Sequence, residues 1–358
     1  VLVVIPKWPR IVGRACIVAL LILSIVPLLG QATVSIPTVA TAVSTAERWM
    51  PPRTPWGDPD LQGVYTNNDE NLIPLERPTQ FEGKRPEDIT ESELADFRSE
   101  RSVQQMGADA RQRFDLRSPR YWSEDRAPHN SRAWLIVDLD GTVPPVMPEA
   151  VRRVASRALA RRERGPADSW EDRGLWERCI TRGLPGSMMP EAYGNAYQIV
   201  QGPGYVAIRY EMVHETRLIP LGGRPHVGPA IRQYMGDPRG RWDGDVLVVE
   251  TTNFTDKTDY PGPADHLRLI ERFRPLDLET VEWAVTFDDP STWARPWTFA
   301  MNLTKKDDSQ QPFEYACHEG NYALRDILSG ARAENAADSS QSAQGSETAL
   351  GRINRPLP

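Results

Sequence analysis

The sequence predicts a mainly β protein: an antiparallel up-and-down barrel of about eight strands with a Pro- and Trp-rich N-terminal wrap and two or three helices. A β-sandwich is the alternative. Three observations predict this. From Asn195 onward, short apolar runs are joined by turn chemistry, with no helix-length segment between them. The stretch before them, about 49–147, is rich in Pro, Trp and charge and has little regular period, as expected of a segment that covers a domain without forming its own core. The first thirty or so residues are patterned for export, which sets the compartment in which the fold must survive.

That first segment carries Lys7, Arg10 and Arg14, then an apolar stretch from Ala15 to Leu29, then Gly30-Gln31-Ala32. A basic start, an apolar middle and a small-x-small end are what a signal peptidase reads, so residues 1–32 are expected to be a signal peptide. An uncleaved membrane anchor is the alternative, but the apolar run falls short of the roughly 20 residues a spanning helix needs, and Pro27 interrupts it. Residues 33–48 are small and polar and read as a linker. The expected location is periplasmic or secreted, with membrane contact only through the signal peptide before cleavage.

Residues 49–194 form the expected wrapping segment. Thr90 and Glu93 have capping-box spacing ahead of Leu94 and Phe97, so a helix begins there. A second helix is expected at about 148–163, opened by Pro148-Glu149, and a short one leading into Cys179. The barrel is expected over 195–332. Its strands are read at 196–200 and 205–212 around Gly202-Pro203-Gly204, then 214–220, 231–235 and 246–252, with Asp243-Gly244 suiting a type I′ turn. Further strands are read at 267–273, 281–287, 297–303 and 313–317. The tail, 333–358, is rich in Ala, Ser, Gln and Glu without aromatics, and its composition predicts disorder.

Cleavage would remove Cys16 and leave Cys179 and Cys317, which are expected to pair in an oxidising compartment; two free buried thiols are the alternative. The net charge of the whole chain is -7, to which the signal segment contributes three positive residues, and nothing suggests a nucleic-acid partner. The one basic run, Arg152, Arg153, Arg157, Arg161, Arg162 and Arg164, has helical spacing and reads as a solvated face.

Alternation along each strand picks out polar groups stranded on apolar faces. Glu271 shares a face with Leu267, Leu269 and Phe273. Tyr210 and His214 share one with Val206, Ile208 and Met212 if that strand runs on to 214. A carboxylate among Leu and Phe is costly unless it is hydrogen-bonded, and its pKa is expected to rise. Glu271, His214 and Tyr210 are therefore the candidate acid/base set; a structural network in which an Arg or Tyr bonds Glu271 is the bland alternative. Glu211, His318 and Glu319 are second-rank candidates. The His-Glu pairs lack metal-site spacing, no Gly-x-Ser-x-Gly elbow occurs, and neither a metal nor a cofactor is expected.

Four stretches carry a resemblance: Thr54-Pro-Trp-Gly-Asp-Pro-Asp-Leu-Gln-Gly63, Glu177-Arg-Cys-Ile-Thr-Arg-Gly-Leu-Pro185, Arg239-Gly-Arg-Trp-Asp-Gly-Asp-Val-Leu-Val-Val-Glu-Thr-Thr-Asn-Phe254 and Tyr315-Ala-Cys-His-Glu-Gly-Asn-Tyr322. Together they resemble a large family of exported bacterial proteins with a calycin- or lipocalin-like β-rich domain, over about residues 50–332. The resemblance implies export and a single globular unit and supplies no catalytic residues. The leading functional expectation is an exported enzyme whose barrel cavity performs metal-independent acid/base chemistry, of lyase, hydratase or hydrolase type, on a small, partly apolar molecule. The alternative is a non-catalytic periplasmic protein that binds such a molecule. A third is an envelope interaction protein that uses the N-terminal wrap.

Overall fold

A computed structural model describes residues 49–112, 131–162, 164–191, 193–257, 266–307 and 311–353. The expected signal peptide and linker lie outside the described residues. Nine strands form one sheet: β1 (Gly63–Thr66), β2 (Ala196–Gly202), β3 (Tyr205–Tyr210), β4 (Thr216–Pro220), β5 (Asp237–Asp243), β6 (Val246–Thr252), β7 (Arg268–Pro275), β8 (Thr280–Asp288) and β9 (Trp297–Lys305). Their order is β4-β3-β2-β1-β9-β8-β7-β6-β5, so each strand lies beside its neighbour in the chain. Tyr65↔Lys305 and Thr66↔Thr304 join β1 to β9 and wrap the sheet into an antiparallel, nearly closed barrel.

Closure stops at one place for a reason of parity. All eight ladders are antiparallel. With nine strands in a ring, alternation of direction must fail once. It fails between β4 and β5, which run the same way and touch without a ladder. The connection from β4 to β5, residues 221–236, has the length that parallel neighbours require. At this seam Gly240 lets β5 approach closely: a Cβ there would lie 2.6 Å from Leu221 Cδ2 and 2.8 Å from Ile219 Cγ2.

Period-two patterning fills the interior. Val281, Trp283, Val285 and Phe287 of β8 are buried, and Leu269, Glu271 and Phe273 of β7 and Phe299, Met301 and Leu303 of β9 lie on the same side. Tyr197, Ile199, Val206, Ile208, Tyr210 and Ile219 complete the wall from β2, β3 and β4. An eight- or nine-strand barrel is narrow enough for such side chains to meet across it.

Of the helices, α1 (Glu91–Gln112) starts at the expected box: Thr90 N donates to Glu93 Oε2 at 3.0 Å and Glu93 N to Thr90 Oγ1 at 3.3 Å, with Leu94 and Phe97 buried. The second, α2 (Pro148–Arg162), begins at the expected Pro148.

Several boundaries differ from the sequence reading. β1 lies inside the segment expected only to wrap the barrel, and its four residues are too few to give a period. Residues 231–235 are not a strand; the partner of β6 is β5, whose Pro238 and Gly240 hide it from propensity but are tolerated on an edge. The β5–β6 loop is Gly244-Asp245, one residue later than read, with Gly244 at φ 61 in the first loop position, as a type II′ turn has it. Before Cys179 only a 3-10 turn at Trp170–Asp172 forms. Residues 313–317 form no strand, and Phe313 is exposed. The last helix, α3 (Tyr322–Ile353), reaches into the segment read as a tail, where Ala, Arg, Glu and Gln favour helix. Among the described residues, no helix is long and apolar enough to cross a membrane.

Candidate functional site

The polar centre of the barrel is built around Arg217. It is the second residue of β4, on the inward face with Ile219. Its Nη2 donates to Glu271 Oε2 at 2.5 Å and to Thr251 Oγ1 at 2.6 Å. The other Glu271 oxygen accepts from Trp283 Nε1 at 3.1 Å. The side chains of Arg217 and Glu271 are each 1% exposed. A pair this deep is tolerated only because hydrogen bonds replace much of the lost hydration.

Tyr210, at the end of β3, is fully buried beside this pair. Burial pushes its hydroxyl well above the usual phenol range, and the nearby Glu271 carboxylate adds to the shift against the pull of Arg217, so the group is a neutral donor. Burial opposes the charge on Arg217, but Glu271 and Tyr210 together more than offset this and hold the guanidinium protonated. The Tyr210 hydroxyl and the Arg217 guanidinium interact with each other, but Tyr210 Oη and Arg217 Nε and Nη1 make no hydrogen bond of good geometry. Buried polar groups are normally satisfied, so these under-bonded groups on two adjacent side chains need an explanation.

The expected set is only partly assembled. Glu271 and Tyr210 meet at the polar centre, whereas His214 is exposed and lies outside it. The strand that was to carry His214 inward ends at Tyr210, and the chain turns through Met212–His214 with Val213 at φ 62 and His214 at φ 45. Left-handed geometry is unusual for a β-branched residue, and surrounding bonds hold it. Tyr210 N donates to Glu215 O at 2.9 Å, and His214 Nδ1 lies 2.7 Å from Tyr315 O. Glu211 is buried and accepts from Ala196 N at 3.3 Å. His318 and Glu319 are exposed on a turn.

Arg217, Thr251 and Trp283 were not among the candidates. The signal for Arg217 was present: sorting 216–220 by alternation puts it on one face with Ile219. The disulfide Cys179–Cys317 is formed, with Cα atoms 5.8 Å apart. Around it Tyr193 stacks on Tyr315 and Asn321 Nδ2 donates to Glu177 O at 2.8 Å, so the stretches at 177–185 and 315–322 and the β3–β4 turn form one cluster. Among the described residues, no group of three or more His, Cys, Asp or Glu side chains gathers as metal ligands would. A small hollow beside the β7–β8 hairpin is lined by Trp49, Tyr65, Leu278 and Lys305.

No protein-family model matches the chain, and no curated protein matches it. Among solved structures it is similar to an abundant heat-soluble (SAHS) protein from Ramazzottius varieornatus, at 11% identity and a TM-score of 0.24, over 37% of this chain and 87% of that one. It is also similar to a single-residue variant of the fluorescent protein UnaG, at 12% identity and a TM-score of 0.21, over 37% and 87% of the two chains. The class defined by the fold is an antiparallel, nearly closed nine-strand β-barrel, a size at which the interior is either filled by side chains or holds one small ligand.

Proposed function

We propose that this protein is an exported carrier of a small, largely apolar molecule, held inside the barrel by Tyr210 and Arg217. The observation that carries the reading is the set of buried groups left without a well-formed hydrogen bond, Tyr210 Oη and Arg217 Nε and Nη1, amid aromatic walls. Charge decides the ligand class. Glu271 already balances Arg217, so a carboxylate ligand would bring an uncompensated charge into a buried site, whereas a neutral acceptor such as a ketone, ester or amide would not. Export, with residues 1–32 as the signal peptide, is part of the proposal; the Cys179–Cys317 bridge supports an oxidising location. Binding is favoured over acid/base catalysis because Glu271 is engaged by Arg217 and Trp283, and His214 does not accompany it.

The test is a titration with two dyes of matched size, a neutral naphthyl ketone and a naphthalene sulfonate. Saturable binding of the ketone, weaker binding of the sulfonate and about tenfold loss in Tyr210→Phe, on the scale of one lost hydrogen bond, are expected. Tyr210→Phe should still fold, since it removes one hydroxyl that makes no well-formed hydrogen bond and leaves the Arg217–Glu271 pair in place. Equal binding of both dyes, or ketone binding unchanged in Tyr210→Phe, would overturn the assignment.

A further inference from the structure

The surface of α2 carries an arrangement that the barrel site does not use. Val151, Val154, Ala155, Ala158 and Leu159 follow the i, i+3, i+4, i+7, i+8 pattern of an amphipathic helix, which ordinarily faces a core. Here the stripe faces outward: Val151 is 55%, Val154 52% and Leu159 60% exposed. The helix is fixed to the body by its other side, where Ala150 is buried, Arg153 Nη2 donates to Ser291 O at 3.0 Å and Arg157 Nη2 to Asp256 O at 3.3 Å. Immediately before it, Val146 and Met147 are exposed as well.

Charge identifies what would cover this stripe. The helix carries five arginines against one acid, Glu149, in a chain whose net charge is -7. Arg152, Arg161 and Arg162 are exposed, and helical spacing puts them alongside the apolar stripe. Apolar residues between arginines on a helix lying along a surface are the pattern that seats in a lipid headgroup layer, where the aliphatic stems of Arg lie along the apolar zone and the guanidinium groups meet phosphates. We infer that α2 is a docking surface for anionic membranes and that Val151, Val154 and Leu159 enter the headgroup boundary.

The test mixes the full chain with vesicles of phosphatidylcholine alone or with one third phosphatidylglycerol, and follows hydrogen exchange of the 148–162 amides. The expected result is protection of α2 with the anionic vesicles only, weakened severalfold by 0.5 M salt. Arg152→Gln/Arg161→Gln/Arg162→Gln and Val151→Asp/Val154→Asp should each abolish it. All five positions are exposed, so both variants should fold; an unchanged near-ultraviolet circular dichroism spectrum checks this. Protection elsewhere in the chain but not in α2 overturns the inference, as does protection of α2 before vesicles are added, which would mean the chain itself covers the stripe. Binding that survives Val151→Asp/Val154→Asp overturns the insertion of the stripe.

Discussion

Arg217 on β4 and Glu271 on β7 bond at 2.5 Å across the one junction of the barrel that has no ladder. With Thr251 on β6 as a second acceptor, the guanidinium ties one side of the seam to two strands on the other. The pair therefore supplies inside the barrel part of what backbone hydrogen bonds supply elsewhere in the wall.

Breaking one side of this pair is expected to be far worse than removing both. Glu271→Gln leaves a buried guanidinium without its counter-charge and should destabilise by about 3–5 kcal/mol, while Arg217→Met combined with Glu271→Leu should lose much less. Urea unfolding of the two single variants and the double variant measures this. Additive losses would show that the two side chains do not act as a pair.

Packing at the seam leads to a second expectation. Gly240→Ala would place a methyl group against Ile219 and Leu221 and should destabilise by about 1–3 kcal/mol, as overpacking does. The same change at Gly244, where a Cβ meets nothing within 4 Å, is strained only by its φ of 61. Thermal unfolding of both variants separates crowding from backbone strain.

The bridge between Cys179 and Cys317 spans a sequence separation of 138. In the chain-entropy view, opening a loop of that size removes about 5 kcal/mol. Denaturant unfolding with and without reductant should show a loss of that order, together with faster exchange of the Asn321 side-chain amide, whose Nδ2 donates to Glu177 O.

A buried carboxylate, Glu70, and a partly buried one, Glu282, should respond oppositely to pH. Burial holds Glu70 above the usual value of 4.5, despite bonds from Ser131 N at 2.9 Å and Oγ at 2.7 Å. Its contribution to stability is complete below the unfolded pKa and is lost as pH rises through the folded one. For Glu282 burial also raises the value, but Arg132 and Arg274 together outweigh it and hold the carboxyl low, so its contribution is present at neutral pH and lost as pH falls through the folded pKa. Relative to the unchanged protein, Glu70→Gln should therefore gain stability as pH rises from 4.5 towards neutrality, and Glu282→Gln should lose it as pH rises to 4.5 from below. Parallel trends in stability curves at several pH values would contradict the assigned directions.

Legibility in the sequence followed physical periodicity. Strands β2, β3, β6, β7, β8 and β9 are long enough, and buried on one face, for alternation to reveal them, and the same alternation placed Glu271 and Tyr210 inward. β1 is four residues long and β5 carries Pro238 and Gly240, so neither has a local signature. His214 was misplaced because left-handed φ at Val213 and His214 turns the chain, and nothing in Met-Val-His announces such a turn. Arg217 was legible by face, but its contact with Glu271, 54 positions away, depends on the curvature of the whole sheet.

An odd number of strands also gives the wall a single place that can part like a slit. Separating β4 from β5 breaks no strand ladder; it parts Ile219 and Leu221 from Gly240 and draws Arg217 away from Glu271 and Thr251. If the interior binds a molecule as proposed, this gives it a sideways route through the wall. In that route Arg217 is at once latch and binding group, so occupancy of the interior and the closing of the slit would be a single event.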